Sequence, residues 1–379
     1  MENFEIYNPV KAYFGRDVIN HLANEISITG KRVLLVYGKG SIKRNGIYED
    51  VMAQCKKAGA EVFEYAGIKP NPIIEDVREA VVLGKEKSVD MILAVGGGSV
   101  VDSAKVISIG IAGDADPWEY VKGRIKADAG IPIFCVLTLA ATGTEMNRFA
   151  VVQDDQTKEK IGFGYPPMYP KASFLDPAYT MSVSADYTAF GIVDLIAHAL
   201  EAYFGKGDAS LSDRFVFSII KETLDFGPQL MHDLTDYNMR ARIMYAATMA
   251  LNNLTMYGRV SGDWGVHSIG HVLSVLYDVP HGASLSIAYP AWMRLHKEKA
   301  GFRILQLGHH LFGSETEDQS IGSLEAFFNS INSPIRLSQT SYGEYNKQEI
   351  IDTLIHNGVS GANHKMSGDD YDRLINLMW

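Results

Sequence analysis

The rhythm of apolar and polar positions changes near residue 180. Before it, short apolar runs alternate with longer amphipathic stretches. KRVLLVYG (31–38), EVFEYAGI (61–68), DMILAVGGG (90–98) and IPIFCVLT (131–138) are short, β-rich and bounded by Gly, Pro or Asn. Such runs predict strands. Between them, the stretch to about Lys57, residues 73–88 after Pro70-Asn71-Pro72, and SVVDSAKVISIGIA read as helices. Strands alternating with helices predict crossover units and a parallel sheet. The runs lack strict alternation, which predicts a sheet covered on both faces.

After Leu175-Asp176-Pro177 strand candidates almost vanish. Long helical stretches cover 185–204, 209–229, 236–257, 264–276 and 283–299, with more toward the C-terminus. The pattern predicts an α/β plus all-α chain: an α/β domain over 1–180 and a helical domain over 181–379. No internal repeat or low-complexity segment interrupts either part.

Composition narrows the partners. The chain has 379 residues, 46% of them hydrophobic, enough for one large or two medium packed domains. The net charge of −10 is spread without a long acidic or basic run, which argues against nucleic acid and anionic membranes as partners. No apolar run reaches the ~18 residues of a membrane span. The start, MENFEIYNPVKAYFG, lacks the basic-then-apolar order of a secretory signal. Cys55 and Cys135 are the only cysteines, as suits a reducing cytoplasm. A cytoplasmic protein is therefore expected.

Three loops of the first half carry candidate chemistry. Gly96-Gly97-Gly98-Ser99-Val100-Val101-Asp102 joins a buried strand to a helix. Glycine lets backbone approach a ligand closely, and a helix start offers N–H groups and a positive dipole end. A pyrophosphate fits that pattern; so does a plain tight turn with Ser99 as cap, because the motif is not a full GxGxxG. Thr138-Leu139-Ala140-Ala141-Thr142-Gly143-Thr144-Glu145 follows the next buried strand. Its hydroxyls suit ribose and phosphate oxygens, although alone it reads as another helix start. Two such loops on successive strands favour a nucleotide. The third loop, Tyr37-Gly38-Lys39-Gly40-Ser41-Ile42-Lys43-Arg44, has Gly38 where many NAD-binding loops hold an acidic residue against the ribose 2′-hydroxyl. Without that carboxylate, Ser41, Lys43 and their basic neighbours suit a 2′-phosphate, so NADP(H) is expected over NAD(H). A solvated surface turn has the same composition.

In the helical half, Asp194 and His198 stand four apart in AFGIVDLIAHALEAYF and share one helix face. VHSIGHVLSVLYDVPHG repeats the spacing with His267 and His271, then breaks at Pro280 before His281. Asp194, His198, His267 and His281 form a candidate site for one divalent metal, Fe²⁺ or Zn²⁺ rather than Ca²⁺ or Mg²⁺. A metal beside a nicotinamide points to hydride transfer between an alcohol and its aldehyde, with the metal as Lewis acid. His271 is the candidate for passing the proton; a role supporting the ligands is the alternative.

Taken together these motifs resemble the iron-containing (group III) alcohol dehydrogenases over nearly the whole length. They are most similar to the bacterial NADPH-dependent butanol dehydrogenases and broad-range aldehyde reductases. The shared marks are Val36-Tyr37-Gly38 with Ser41-Ile42-Lys43, Pro70-Asn71-Pro72, Gly96-Gly97-Gly98-Ser99 with Asp102, and Thr138-Leu139 with Thr142-Gly143-Thr144-Glu145. They continue through Leu175-Asp176-Pro177, Asp194 with His198, His267 with His271, and Pro280-His281-Gly282.

The resemblance implies a dehydroquinate-synthase-like fold, with an N-terminal Rossmann-type nucleotide domain and a C-terminal helical metal-binding domain. It implies Asp194, His198, His267 and His281 as ligands, and Gly97, Gly98 and Ser99 around the pyrophosphate. It places Asn71, Thr138, Thr142 and Lys160 around the rest of the dinucleotide, and counts Gly38, Ser41, Lys43 and Asp102 with the cofactor residues. It implies a homodimer, with Phe4–Phe14 as the candidate edge strand. The expected activity is NADP(H)-dependent alcohol dehydrogenase or aldehyde reductase on a small, butanol-like substrate. A dehydroquinate-synthase-type lyase needs several basic residues in its pocket, whereas Phe190, Leu195, Leu254 and Trp264 around the ligands are apolar, with Phe149 of the other half as a further wall. A non-catalytic metal- and nucleotide-binding protein would oxidise no NADPH with any aldehyde.

Overall fold

The apolar runs of the first half do become parallel strands. In the computed structural model, which describes Met1–Trp379, they form one six-stranded sheet. Its strands are β1 (Lys11–Phe14), β2 (Arg32–Tyr37), β3 (Glu61–Ala66), β4 (Met91–Gly96), β5 (Ile133–Leu137) and β8 (Ala172–Leu175). The order is β1-β8-β5-β4-β2-β3, all parallel. A separate antiparallel hairpin joins β6 (Phe149–Asp154) to β7 (Glu159–Gly164).

Both faces of the sheet are buried, which is why its runs show no polar alternation. Leu34, Val36, Ile92, Ala94, Ile133 and Cys135 point to one face, and Val33, Leu35, Met91, Leu93, Phe134 and Val136 to the other. The first face is covered by α4 (Ile74–Glu86), α5 (Gly98–Ala112) and α6 (Pro117–Val121). The second is covered by α1 (Leu22–Ser27), α2 (Ser41–Arg44) and α3 (Ile47–Ala58). Because β3 lies on one side of β2 and β4 on the other, the sheet reverses its direction of growth between β2 and β4. Tyr37 of β2 pairs with Val95 of β4, so the loops that follow leave the sheet at one level. In open α/β sheets ligands bind outside the carboxyl ends of strands at such a point.

The second half is helical. It contains α7 (Ala185–Tyr203), α8 (Ser210–His232), α9 (Tyr237–Ala250), α10 (Gly265–Tyr277) and α11 (His281–Leu295). Then follow α12 (Lys297–Phe312), α13 (Glu317–Ser330), α14 (Lys347–His356) and α15 (Asp369–Met378). The stretch 283–299 was expected as one helix. It divides at His296, where the backbone leaves helical geometry (φ −94°, ψ 10°) between α11 and α12. α11 packs against α7, α10, α13 and α15 and is buried nearly all round, so its periodicity carries no polar stripe. No helix is long and apolar enough to cross a membrane.

The chain divides into two compact units. The sheet unit comprises Tyr7–Val183 with Thr235–Met244, and the helical unit Met1–Ile6, Ser184–Leu234 and Tyr245–Trp379. Within the helical unit, the Glu2 N–H donates to Gly258 O and the Phe4 ring stacks on Tyr257. The edge strand of the sheet is accordingly Lys11–Phe14, and not the whole of Phe4–Phe14.

Candidate functional site

In the helical unit, the i, i+4 spacing on α7 turns Asp194 and His198 to one side, and Ser184 caps the start of that helix by accepting from Tyr187 N–H. His267 lies in the first turn of α10, and His281 is the first residue of α11 after Pro280. Gly282 explains how α11 comes so near. A Cβ there would lie 2.1 Å from the carbonyl oxygen of Phe190, so only glycine lets the start of α11 touch the backbone of α7.

The four side chains meet at one carboxylate oxygen. Asp194 Oδ1 lies 3.5 Å from His198 Nδ1, 3.7 Å from His267 Nε2 and 3.7 Å from His281 Nε2. Asp194, His198 and His267 are buried, and His281 is half-buried. Ligand atoms of Asp194, His267 and His281 all lie within 4.8 Å of one another, and His198 joins through Asp194. Asp194 Oδ1, His198 Nδ1 and His267 Nε2 have no hydrogen-bond partner. Buried polar atoms are nearly always paired, so these atoms are arranged for something else. Spacings of 3.5–3.7 Å exceed ordinary hydrogen bonds. They match the edge of about 3.4 Å that a tetrahedral ion with bonds of about 2.1 Å imposes on its ligands.

Electrostatics agree. Burial pushes His198 down to about 4, leaving it neutral at pH 7 with a lone pair to offer. Burial opposes protonation of His267 as well, but Asp194 and Glu201 outweigh it and raise that imidazole to about 9. The cluster attracts positive charge, and a cation there takes the place of that proton. The residues present therefore fit a divalent metal.

His271 is one turn beyond His267 and half-buried, with its ring centroid 5.5 Å from that of His281. Trp264 sets its ring edge-on to His198 and His267. Phe190 is buried near the start of α11, whereas Leu195 is wholly enclosed in the core and lines no opening. One neighbour was missed in the sequence: Glu201, whose carboxylate contacts His267 Nδ1 at 2.8 Å. It stands three residues after His198 and seven after Asp194, on the same helical stripe.

In the sheet unit, the loops after β4 and β5 lie against each other. Thr138 N–H donates to Gly96 O at 3.0 Å. A Cβ on Gly98 would lie 2.6 Å from Thr142 Cγ2, and one on Gly97 3.2 Å from Leu139 Cβ. Gly97 is the extended residue before α5, and no side chain caps that helix start. Its N–H groups and dipole remain available to an anion. Ser99 Oγ does not cap the helix; it donates to Pro70 O. The Asn71 side chain accepts from Lys160 Nζ at 2.8 Å, so β7 brings Lys160 to the Pro70–Pro72 turn.

Asp102 is placed differently from a cofactor contact. Its Oδ1 accepts from Thr144 Oγ1 at 2.6 Å and its Oδ2 from Val151 N–H at 2.9 Å. Burial raises its pKa. Lys105, one turn on, lies within 3.1 Å of Thr144 O, Thr144 Oγ1, Asn147 Oδ1 and Phe149 O, and burial lowers it to about 8. The pair ties the threonine loop and β6 to α5. After β2, Gly38 has room for a side chain, its nearest would-be contact being Ile68 O at 3.5 Å. Ser41 opens α2 and is exposed. Lys43 is not a free cation: its Nζ lies 3.3 Å from Glu64 and over the rings of Tyr37 and Tyr48.

Residues 9–177 match the family described as iron-containing alcohol dehydrogenase, and residues 188–374 match the C-terminal part of the Fe-containing alcohol dehydrogenase family. The chain is similar to the probable NADH-dependent butanol dehydrogenase 1 of Bacillus subtilis, at 39% identity over 98% of each chain. It is similar to the NADPH-dependent aldehyde reductase YqhD of Escherichia coli, at 34% identity over 97% of each. Its fold matches the crystal structure of NADH-dependent butanol dehydrogenase A from Thermotoga maritima with a TM-score of 0.96, at 36% identity, covering 100% of this chain and 99% of that one. The dehydroquinate-synthase-like fold implied by the family resemblance is thus the fold observed, and the chain belongs to the iron-containing alcohol dehydrogenase family.

Proposed function

We propose that this alcohol dehydrogenase interconverts small primary alcohols of about butanol size and their aldehydes with NADP(H), and that Asp194, His198, His267 and His281 hold Fe²⁺ or Zn²⁺. In the reducing direction an aldehyde takes a hydride from NADPH and a proton from a side chain, giving the alcohol and NADP⁺. The observation that carries this reading is the meeting of three imidazole nitrogens on the buried Oδ1 of Asp194. Nitrogen-rich ligand sets suit Fe²⁺ or Zn²⁺, whereas Mg²⁺ and Ca²⁺ take mainly oxygen. Such an ion, when bound, acts as a Lewis acid on an alcohol or carbonyl oxygen.

The chain's own residues bind, orient and protonate. Gly97, Gly98 and Ser99 offer backbone N–H groups to the pyrophosphate at the start of α5. Asn71, Lys160, Thr138 and Thr142 hold the rest of the dinucleotide. Asp102 acts one step back, fixing Thr144 and β6 through the hydrogen bonds described. Gly38 removes the carboxylate that would repel a 2′-phosphate, and Ser41 donates to it. Lys43 contributes once it swings away from Glu64. His271 exchanges the proton with the substrate oxygen. The edge of Trp264 beside the cluster gives an apolar wall that favours a short alkyl chain over a carboxylated substrate. A homodimer through the exposed edge of β1, where Phe14 is 44% exposed, belongs to the same reading.

The test is a screen of NADPH and NADH oxidation across straight-chain aldehydes from ethanal to octanal, with iron and zinc measured on the same sample. NADPH oxidation centred near butanal, lost on chelation and restored by Fe²⁺ or Zn²⁺, is the expected result. A fully metal-loaded sample that oxidises neither cofactor with any aldehyde would sink the proposal.

A further inference from the structure

Glu201 is 1% exposed and places a carboxyl group in the helical core. A carboxylate is rarely enclosed in this way unless its oxygens are engaged. Its Oε1 accepts from the backbone N–H of His267 at 3.0 Å and lies 2.8 Å from His267 Nδ1. Its Oε2 accepts from the N–H of Trp264 at 2.5 Å. One side chain of α7 therefore grips the start of α10 at three points.

That start is strained. Trp264 lies in the left-handed region (φ 63°, ψ 8°), which a bulky residue adopts only under strain. Asp263 secures the other side of the turn, accepting from the N–H groups of Asn363 and His364 through Oδ1 and of Gly265 through Oδ2. The two carboxylates satisfy N–H groups that a helix start leaves unpaired. They also hold a backbone that would relax without them.

The hydrogen bond to the ring has a chemical consequence. Both carboxylate oxygens already accept from backbone N–H groups, so the proton between Oε1 and the ring belongs to His267 Nδ1. Once a cation displaces the second proton, the other nitrogen, Nε2, is left with its lone pair, and it faces Asp194 Oδ1 at 3.7 Å. Were Nδ1 free, the proton could sit on Nε2 and close that nitrogen to a cation. Carboxylates behind ligating histidines act in this way at many metal sites.

We propose that Glu201 is a positioning residue. It fixes the tautomer of His267 and the strained turn at Trp264, so that His267 Nε2 is presented to the divalent cation. The inference rests on the reading above that the Asp194 cluster binds such a cation. Glu201 itself touches neither the cation nor the substrate.

The test uses metal-free full-length protein titrated with Zn²⁺ and Co²⁺ against a chromophoric chelator, with the visible spectrum of the Co²⁺ form recorded. Glu201→Gln keeps the size of the side chain but places an NH₂ group against either the Trp264 N–H or the two N–H groups of His267. We expect the variant to fold, to bind both ions roughly 10–100-fold more weakly, and to show an altered Co²⁺ spectrum. The loss should vanish when Glu201→Gln is added to His267→Ala, because the effect acts through that ring. A helix-capping role alone predicts the opposite: a lower melting temperature, unchanged affinity and spectrum, and the same penalty in both backgrounds. That result would overturn the inference. If Glu201→Gln does not fold, the zinc-loaded wild type labelled with ¹⁵N-histidine decides. Coordination of His267 through Nε2 with Nδ1 protonated supports the proposal, and coordination through Nδ1 ends it. A wild-type chain that binds neither ion removes the reading of the site as well, so the two failures are distinguishable.

Discussion

His271 and His267 differ by one helical turn, and that turn separates their environments. His267 is buried against two carboxylates, whereas His271 is half-buried with its ring beside His281. An imidazole with some access to water is suited to moving protons. His271→Ala is therefore expected to lower kcat by roughly a hundredfold or more while bound metal stays at the wild-type level. Steady-state rates and metal content on one preparation check this, and loss of metal would make His271 a ligand or its support. Gly38 carries the cofactor preference in the same residue-by-residue way. It has no positive φ and open contacts, so Gly38→Asp is sterically allowed. The added carboxylate should repel a 2′-phosphate and accept from a 2′-hydroxyl, shifting kcat/KM toward NADH; an unchanged ratio would refute the assignment. At this scale the metal cluster was readable because two ligands fall at helical spacing. Glu201 was not, because a glutamate on a helix reads as a solvent-facing residue until burial is known.

Elements set the angles at which those residues meet. The close approach of α11 to α7 depends on Gly282, and a methyl group there would collide with backbone rather than with a side chain that can turn aside. Gly282→Ala must therefore push the start of α11 away by about an ångström, moving His281 from Asp194. Overpacking of this kind typically costs about 1–3 kcal/mol. The variant should melt at lower temperature and retain less metal; wild-type metal content with an unchanged melting temperature would show that the contact does not govern the site. Four strands of the sheet were legible from their apolar runs, as were the main helices of the second half. The β6–β7 hairpin was not, because β7 reads EKIGFG, polar and glycine-containing, and only half-buried. β8 is four residues long and β1 mostly exposed, so neither offers the run that marks a central strand. The turn at His296 was read as continuous helix because its neighbours on both sides keep helical periodicity.

Over the whole molecule, connectivity and packing separate. Thr235–Met244 packs with the sheet unit and Met1–Ile6 with the helical one, so the units exchange segments that periodicity along the chain cannot assign. Stability is also a property of the whole fold, and His296 links it to pH. This histidine is 3% exposed, packed against Trp292 and His364, and its Nε2 has no hydrogen-bond partner. Burial lowers it to about 4, with the charges of His364 and Lys299 acting in the same direction. The unfolded chain takes up a proton at His296 near the ordinary histidine value of about 6.5, and the folded chain only near 4. Above pH 6.5 both states are neutral there and the group contributes nothing to pH dependence. Between 6.5 and 4 the unfolded state binds more protons, so stability falls as pH falls, and below 4 the loss levels off. Other buried groups titrate in the same window, Asp263 among them, raised by burial to about 6 and opposite in sign. The wild type must therefore be compared with a variant lacking the imidazole. His296→Phe keeps an aromatic ring against Trp292 and removes the titration. Its melting temperature should fall less than that of the wild type between pH 7 and pH 4.5. Parallel curves for the two proteins would show that His296 is charged or hydrated in the folded state and sheds no stability in acid.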